Sequence, residues 1–175
     1  NLSATTDKKS AYIGSDFVIV STPTNYSSEK ESFDTLSVEN TIKDSINYSP
    51  NATIVIKSTV PIGFTDRMKK KFNFKNIFFS PEFLREGNAL LDNLKPTRII
   101  IGDKSKNSIT FSEMLLSCSN VQRDNIEILF MTSKEAEAVK LFSNTYLAMR
   151  VSFFNELDTF AEVNKLNSKS IINGV

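Results

Sequence analysis

The segment "ATIVIKST" (residues 52–59) carries four consecutive residues of strand character and then ends in a lysine and two hydroxyl side chains. A continuous apolar run is typical of a strand buried on both faces, because a strand with one wet face alternates apolar and polar residues. The segments with the same character are "DFVIVST" (16–22), "NIFFS" (76–80), "TRIIIG" (97–102) and "IEILFM" (126–131). We therefore predict that each of these runs forms a strand.

Helical patterns separate the predicted strands. In "DTLSVENTIKDSI" (34–46) the apolar residues fall close to helical spacing, and "NSITFSEMLLSC" (107–118) behaves likewise. Strands that alternate with helices predict an α/β fold with a mainly parallel sheet. With 175 residues and 40% apolar content, the chain is long enough to bury one sizeable core.

The last third of the chain differs from the rest. From Ser133 to about Lys165 there is no proline or glycine, and apolar residues occur nearly all the way round a helix. This pattern predicts one long helix that is buried on several sides, against other helices or a second subunit. Ser133 is the predicted cap, and Glu135 and Glu137 favour the positive N-terminal end of this helix.

Composition excludes several classes of function. Lys and Arg number 21 against 20 acidic residues, so the net charge of +1 offers no field for nucleic acid or an anionic membrane. The absence of histidine removes the usual metal ligand, and the single cysteine excludes an internal disulfide. No apolar run approaches the roughly 18 residues of a membrane span, and the first residues lack the basic then apolar order of a signal peptide. We expect a cytoplasmic protein without a metal site, whose chemistry uses carboxylates, lysines, hydroxyls or amides.

Two predicted strands end in similar polar segments, Ser21–Thr24 and Ser58–Pro61. Ligands of an open parallel sheet bind beyond the carboxyl ends of its strands, so both segments are candidates for a binding edge. Pro61 also suits the first turn of a helix whose N–H groups could face a phosphate or ribose. Ordinary turn chemistry explains the same residues, and both interpretations stay open. The five glycines are scattered and form no G-x-G-x-x-G turn, so a dinucleotide site would be incomplete here.

The segment "SPEFLREG" (80–87) follows a third strand and places Glu82 at the same edge. Phe83 and Leu84 would give apolar walls to a carboxylate that acts as a base. The competing interpretation is that Ser80 and Pro81 open a short helix, whose positive end both Glu82 and Glu86 favour. Local chemistry alone favours this helix start.

Lys140 and Asn144 are four residues apart in the long helix and therefore share a face. If that face meets the sheet edge, the ammonium and the amide could stabilise a developing oxyanion. Otherwise Lys140 extends to water or pairs with Glu137, three residues before it.

Four motifs together carry a resemblance to a known family: "STPTNY", "KSTVPIGFT", "FSPEFLREGNALLDNLKPTRIIIG" and "SKEAEAVKLFSNTYLAMRVSFFNELDTFAEVNKLNS". In this order and spacing they resemble the UDP-glucose/GDP-mannose dehydrogenase family over essentially the whole chain, and "ALLDNLKPTRIIIG" is similar to its UDP-glucose branch. The resemblance implies the second half of a Rossmann-like NAD-binding domain in residues 1–132. Residues 133–175 would begin the helical central domain, whose long helix forms a homodimer.

The resemblance also implies a reaction. The family's UDP-glucose branch oxidises the C6 alcohol of UDP-glucose to a carboxylate with two NAD, through a cysteine thiohemiacetal and thioester. We expect the family's glycine-rich turn before residue 1 and its cysteine after residue 175, and we interpret Cys118 in "LLSCSNV" as a helix-face residue. The alternatives are a GDP-mannose or UDP-N-acetylhexosamine dehydrogenase, or a chain that acts only as a dimerisation module.

The family's functional positions carry over motif by motif. The residues implied to line NAD are Val20, Ser21, Thr22, Pro23, Thr24, Ser58, Thr59, Val60 and Glu86, with Thr59 near the reacting centre. Those implied to contact the nucleotide sugar are Glu82, Phe83, Leu84, Arg85, Glu86, Lys140 and Asn144. Glu82 would assist thioester hydrolysis as acid and base, while Lys140 and Asn144 would hold the C6 oxygen.

Overall fold

The computed structural model describes residues 2–28 and 31–175. The chain forms two compact units, Asn1–Lys140 and Leu141–Val175, which are described separately. In the described part of the chain, no helix is long and apolar enough to cross a membrane.

The described elements alternate between strand and helix along the first unit. The strands are β1 (Phe17–Val20), β2 (Tyr26–Ser27), β3 (Ser32–Phe33), β4 (Thr53–Ile56), β5 (Ile77–Phe79), β6 (Arg98–Ile101) and β7 (Glu127–Phe130). The helices are α1 (Lys8–Tyr12), α2 (Leu36–Tyr48), α3 (Phe64–Lys71), α4 (Ala89–Leu94), α5 (Lys106–Ser117), α6 (Ser133–Val163) and α7 (Ser168–Gly174). Each of the five predicted strands and each of the three predicted helices is therefore present, with ends that differ by one to three residues.

The strands pair in parallel, as predicted. β1, β4 and β5 form one sheet in that order, and β6 pairs with β7 in a second sheet. Gly102 N donates to Phe79 O at 2.7 Å and Ser80 Oγ donates to Ile100 O at 3.0 Å, so the end of β5 is joined to the end of β6. The short strands β2 and β3 form an antiparallel hairpin in the connection after β1.

Both faces of the sheet are covered, which explains the continuous apolar runs. Successive side chains of a strand point to opposite faces. Ile54 and Ile56 therefore pack in one core cluster with side chains from α2, α3 and the start of α6, while Val55 packs in the other with Phe111 of α5. These four side chains are almost completely inaccessible to solvent.

Gly102 lies where the end of β6 meets the start of α6. A Cβ atom at this position would lie 2.7 Å from Phe79 O, 2.9 Å from Ser133 Cα and 3.2 Å from Ala136 Cβ. The first two of these atoms belong to the backbone and cannot move away independently. Only glycine lets α6 approach the sheet this closely.

α6 begins at Ser133, as predicted, but the residue that caps it differs from the prediction. Thr132, not Ser133, provides the cap: its N–H and hydroxyl donate to Glu135 Oε2 at 2.7 and 2.8 Å, which is a capping-box arrangement. Ser133 was wrong as the cap because its hydroxyl donates to Gly102 O at 2.6 Å instead. This hydroxyl thus fixes α6 to the sheet.

The second unit contains the rest of α6, followed by α7. Leu166 N donates to Ala161 O at 2.8 Å just beyond the end of α6, and Ala161 is fully buried. Many large apolar side chains of this unit are exposed, at 51–76% for the following: Phe142, Tyr146, Leu147, Met149, Val151, Phe153, Phe160, Val163, Leu166 and Val175. The predicted long helix is confirmed, and its burial against other helices or a second subunit stays a prediction.

Candidate functional site

The loop after β1 is held by two serine hydroxyls. Ser37 Oγ, near the start of α2, donates to Pro23 O at 2.9 Å and to Thr22 Oγ1 at 3.2 Å. Ser58 Oγ, beyond β4, donates to Thr22 O at 2.6 Å. The Ser58 hydroxyl, predicted to line NAD, therefore already fixes the loop that carries four other predicted NAD residues, Ser21, Thr22, Pro23 and Thr24.

The ends of β1 and β4 form one continuous edge. Lys57 N and Ser58 N both donate to Val20 O, at 2.8 and 3.1 Å. Val20 and Val60 are buried in the core, Thr59 is half-buried, and Ser21 is exposed. The structure thus brings the two predicted NAD-lining segments side by side.

This edge fits part of a dinucleotide. Ser21 and Thr59 offer hydroxyls that solvent reaches, on main-chain segments fixed by the hydrogen bonds above. The 175 residues contain no glycine-rich turn for a pyrophosphate. The residues present therefore match the less charged portions of NAD, in agreement with the incomplete site predicted from the glycines.

Glu137 occupies the N-terminus of α3. Its carboxylate accepts hydrogen bonds from Gly63 N at 2.5 Å, from Thr65 N at 2.8 Å and from Thr65 Oγ1 at 2.6 Å, and the side chain is completely buried. Gly63 is in the left-handed region (φ 82°), where glycine is favoured. The carboxylate satisfies donors that a helix start leaves free and complements the positive end of the helix dipole.

Three expectations about α3 and Glu137 are wrong. The N–H groups of Gly63 and Thr65 at the start of α3 are not free to bind a phosphate or ribose, because they donate to the Glu137 carboxylate. Pro61 also precedes the first helical residue, Phe64, by three positions. Pairing between Glu137 and Lys140 is likewise wrong, since the two carboxylate oxygens point to α3.

The segment "SPEFLREG" forms no helix, so the helix-start interpretation is wrong. The next helix, α4, begins at Ala89. Ser80 cannot cap a helix here because its hydroxyl binds Ile100 O, and Arg85 is fixed by Asp92, which accepts from Arg85 N at 2.8 Å and from its guanidinium at 2.7 and 3.1 Å. Glu82 is half-buried and Glu86 is exposed. The two glutamates therefore have different environments.

Lys140 reaches the segment that carries Glu82. Its Nζ donates to Glu82 O at 2.6 Å and lies 5.5 Å from the centre of the Phe83 ring, whose face Arg98 also approaches at 4.3 Å. Burial lowers the pKa of Lys140, and the negative charge of Glu82 offsets part of this effect. The structure therefore brings Glu82, Phe83 and Lys140 together, and their contact with a nucleotide sugar stays a prediction.

A second lysine, Lys57, escaped the sequence analysis. Burial lowers the pKa of Lys57, the charge of Glu82 raises it in part, and the nearby Lys140 ammonium lowers it further. The only sequence signal was its position directly after the buried strand β4, at the candidate edge. A lysine at a strand end is usually solvated, so that signal alone was weak.

Lys57 and Glu82 line a cavity of about 490 Å³. Its other walls are residues 80–85 and 92–99, with Leu115 and Cys118 from the end of α5. Cys118, which was predicted to lie on a helix face, immediately follows the last residue of α5 and is exposed. The cavity combines apolar walls with two carboxylates and four cations, Lys57, Arg85, Lys95 and Arg98, which suits a ligand that is both polar and anionic.

Asn144 lies on α6 in the second unit and is exposed. Its predicted partnership with Lys140 around a C6 oxygen stays a prediction.

Two domains of one protein family match the chain. The NAD binding domain of the UDP-glucose/GDP-mannose dehydrogenase family matches residues 1–117, and the central domain of the same family matches residues 134–175. Among curated proteins, the chain is 53% identical to a UDP-glucose 6-dehydrogenase of Campylobacter jejuni, over 99% of the chain and 44% of that protein. It is 46% identical to a UDP-glucose 6-dehydrogenase of Streptococcus pneumoniae, over 98% of the chain and 45% of that protein. The chain thus spans less than half the length of these relatives.

Solved structures agree on the fold. A UDP-glucose dehydrogenase from Pyrobaculum islandicum superposes with a TM-score of 0.81 at 28% identity, over 97% of this chain and 40% of that one. A GDP-mannose dehydrogenase from Pseudomonas aeruginosa superposes with a TM-score of 0.82 at 23% identity, over 97% of this chain and 41% of that one. The predicted Rossmann-like α/β fold, followed by a long helix, is confirmed.

Proposed function

This chain belongs to the UDP-glucose/GDP-mannose dehydrogenase family and carries part of its NAD-binding domain, and on that premise we propose that the protein oxidises the C6 alcohol of UDP-glucose to a carboxylate with two NAD. The observation that carries the proposal is the hydrogen bond from Lys140 Nζ to Glu82 O, which joins the start of α6 to the sheet edge. The 53% and 46% identities to UDP-glucose 6-dehydrogenases favour this substrate over GDP-mannose or a UDP-N-acetylhexosamine.

We propose that the NAD residues are Val20–Thr24, Ser58–Val60 and Glu86. When bound, NAD supplies the hydride acceptor for both oxidations. The Ser58 and Ser37 hydroxyls keep the loop after β1 in place, so that its main chain is ordered before the cofactor arrives. Thr59 lies two residues after Lys57, which lines the cavity, and this position supports its role near the reacting centre.

The proposed sugar contacts are residues 82–86, Lys140 and Asn144. The Lys140 ammonium stabilises the C6 oxygen as its proton leaves, and the Asn144 amide donates to the same oxygen. A cysteine that the family supplies outside these 175 residues adds to the resulting aldehyde as a thiohemiacetal, and the second oxidation gives a thioester. Glu82 then takes a proton from the water that attacks the thioester, which releases the carboxylate and the thiol.

The reaction can be tested with the full-length protein. UDP-glucose should give two NADH per sugar, whereas GDP-mannose and UDP-N-acetylglucosamine should give slow turnover. A stoichiometry of one NADH, or faster turnover of either alternative sugar, would contradict the proposal.

Glu82→Gln should slow the hydrolytic half of the reaction by about 10²–10⁴-fold, the usual contribution of a general base. The first two NADH should still form rapidly, because that half does not require the Glu82 proton transfer. Stopped-flow NADH formation followed by mass spectrometry should then detect a sugar-linked protein. Glu127→Gln is the control, since Glu127 is an exposed glutamate of β7 that does not line the cavity. Unchanged steady-state turnover in Glu82→Gln would refute the base role.

We also propose that residues 133–175 begin the central domain and that its long helix forms a homodimer. The exposed apolar side chains of the second unit support this, because contiguous apolar surface usually marks an interface. Light scattering of the full-length protein should report a dimer, and Phe153→Glu, a charge at a residue that is 56% exposed, should weaken it. A monomeric wild-type protein would contradict this proposal.

A further inference from the structure

Asp92 is a charged residue of the cavity to which the proposed mechanism gives no role. It lies in α4, and its side chain is 15% exposed. Its carboxylate accepts three hydrogen bonds from Arg85: from the main-chain N–H at 2.8 Å, from Nε at 3.1 Å and from Nη2 at 2.7 Å. One aspartate therefore fixes both the main chain and the side chain of Arg85.

Main-chain hydrogen bonds close the same segment. Asn88 N donates to Arg85 O at 3.0 Å, and Asp92 N donates to Asn88 O at 3.0 Å. Gly87 lies between these residues in the left-handed region (φ 79°), where glycine is favoured. Residues 85–92 therefore form a closed turn whose two ends are joined by the Arg85–Asp92 pair.

The Arg85–Asp92 pair is better suited to orient Arg85 than to stabilise the fold. The Arg85 side chain is 75% exposed, and an ion pair so accessible to water adds little to the free energy of unfolding. A contact in which two nitrogens of a guanidinium donate to one carboxylate does fix the plane of the guanidinium. The contact therefore controls the direction of the Arg85 side chain.

The oriented guanidinium keeps donors for a ligand. A guanidinium has five N–H donors, and Asp92 accepts from two of them. In the part of the chain that the structure describes, no other residue accepts from this group. Arg85 and Asp92 both line the cavity of about 490 Å³, so the remaining donors lie at its wall. A side chain that is already fixed loses less conformational entropy when a ligand binds.

We propose that Asp92 is a positioning residue for the nucleotide sugar: by fixing Arg85 at the cavity wall, it directs the remaining guanidinium donors to the anionic part of that ligand. This inference rests on the proposed function, in which Arg85 contacts the nucleotide sugar. Asp92 itself does not touch the ligand and takes no part in hydride or proton transfer. Its effect is therefore on binding and not on the chemical steps.

The kinetic test uses the full-length enzyme with UDP-glucose. Asp92→Ala should raise KM about 5–10-fold and leave kcat within about twofold of wild type, because a contact made equally in the ground state and the transition state affects binding alone. Asp92→Asn should give a KM between those of wild type and Asp92→Ala, since an amide offers only one oxygen to the guanidinium. A fall in kcat with an unchanged KM would overturn the inference.

Glu113→Ala is the matched control. It removes another exposed pair in which two guanidinium nitrogens, those of Arg123, donate to one carboxylate, at 2.7 and 2.9 Å. Neither residue of that pair lines the cavity, so KM and kcat should stay within about twofold of wild type. An equal rise of KM in Glu113→Ala would overturn the inference, because the effect would then belong to any surface ion pair.

A double variant separates positioning from a general structural role. Arg85→Ala alone should raise KM at least as much as Asp92→Ala does. If Asp92 acts through Arg85, KM of the double variant Arg85→Ala/Asp92→Ala should equal that of Arg85→Ala within about twofold. A further several-fold rise in the double variant would show that Asp92 affects binding by another route, and would overturn the inference.

Two further measurements need no activity. Isothermal titration calorimetry should show that UDP binds Asp92→Ala about 5–10-fold more weakly than wild type, and hydrogen exchange should become faster in residues 85–92. If UDP-glucose gives two NADH but KM, UDP affinity and exchange are unchanged in Asp92→Ala, the inference fails and the proposed function stands. If UDP-glucose gives no NADH, the proposed function fails, and weaker UDP binding with faster exchange in Asp92→Ala still supports the positioning role.

Discussion

Lys140→Ala in the full-length enzyme should lower kcat by about 10²–10³-fold, the usual effect of removing one group that stabilises a developing negative charge. KM for UDP-glucose should change far less, since the ammonium acts mainly when the C6 oxygen becomes charged. The structure supports this role because Lys140 Nζ is held at the Glu82 main chain by a 2.6 Å hydrogen bond. Steady-state kinetics with varied UDP-glucose measure both constants.

Lys134→Ala provides the matched control, because Lys134 is an exposed lysine on the same helix whose nearest carboxylate, Asp66, is 3.6 Å away. It should leave kcat and KM within about twofold of wild type. A Lys140→Ala variant that raises KM by the full factor while kcat is unchanged would show that the lysine only binds the ground state.

The pH dependence of Lys140 follows from its burial. Burial lowers its pKa below that of an ordinary lysine, so the ammonium loses its proton at a lower pH than an exposed lysine would as the pH rises. The kcat profile should therefore fall on the alkaline side at a lower pH than an exposed lysine would give. Lys140→Arg should remove this fall, because a guanidinium does not titrate there.

Glu137→Ala should lower the free energy of unfolding of the first unit by about 3–5 kcal/mol, because it leaves buried donors unsatisfied at a cost of about 1–3 kcal/mol each. Three hydrogen bonds disappear, and the N–H groups of Gly63 and Thr65 lose their partner in the interior. Thermal unfolding measures the overall loss. Hydrogen exchange followed by mass spectrometry should show faster exchange in residues 61–67 before other parts of the unit respond.

Glu137→Gln should cost less, because one amide oxygen can still accept hydrogen bonds while its NH₂ group faces a donor. Glu135→Ala is the control, since Glu135 is exposed on the same helix turn and caps only Thr132. It should destabilise the protein far less and leave exchange in residues 61–67 unchanged. Unchanged exchange there in Glu137→Ala would contradict the account of α3 given above.

The strands could be predicted from sequence because burial on both faces leaves a local signal. Residues 53–56 are apolar or β-branched throughout, and the structure buries all four. The segment 80–87 misled the local analysis, since its serine, proline and glutamates imitate a helix start. Its conformation is set instead by Ile100, which binds Ser80 from 20 positions away, and by the Arg85–Asp92 pair.

The candidate site was less accessible to local reasoning. Glu137 looked like a dipole partner of its own helix, but its true partners lie 72 and 74 residues earlier in the chain. Lys57 gave no distinctive pattern, because its partial burial at the cavity arises only after folding. The family resemblance supplied the roles of Glu82, Lys140 and Asn144, and those roles stay proposals until the variants are measured.

Gly102 has no functional group, but its close contact with α6 helps to set the position of the side chains that this helix carries. A methyl group there would act as a wedge under the first turn of α6, the helix that carries both Glu137 and Lys140. A displacement of a few tenths of an ångström would lengthen the contact between Lys140 and Glu82. A mutational scan that scores turnover would therefore rank position 102 with the active-site residues, although no atom of Gly102 takes part in the chemistry.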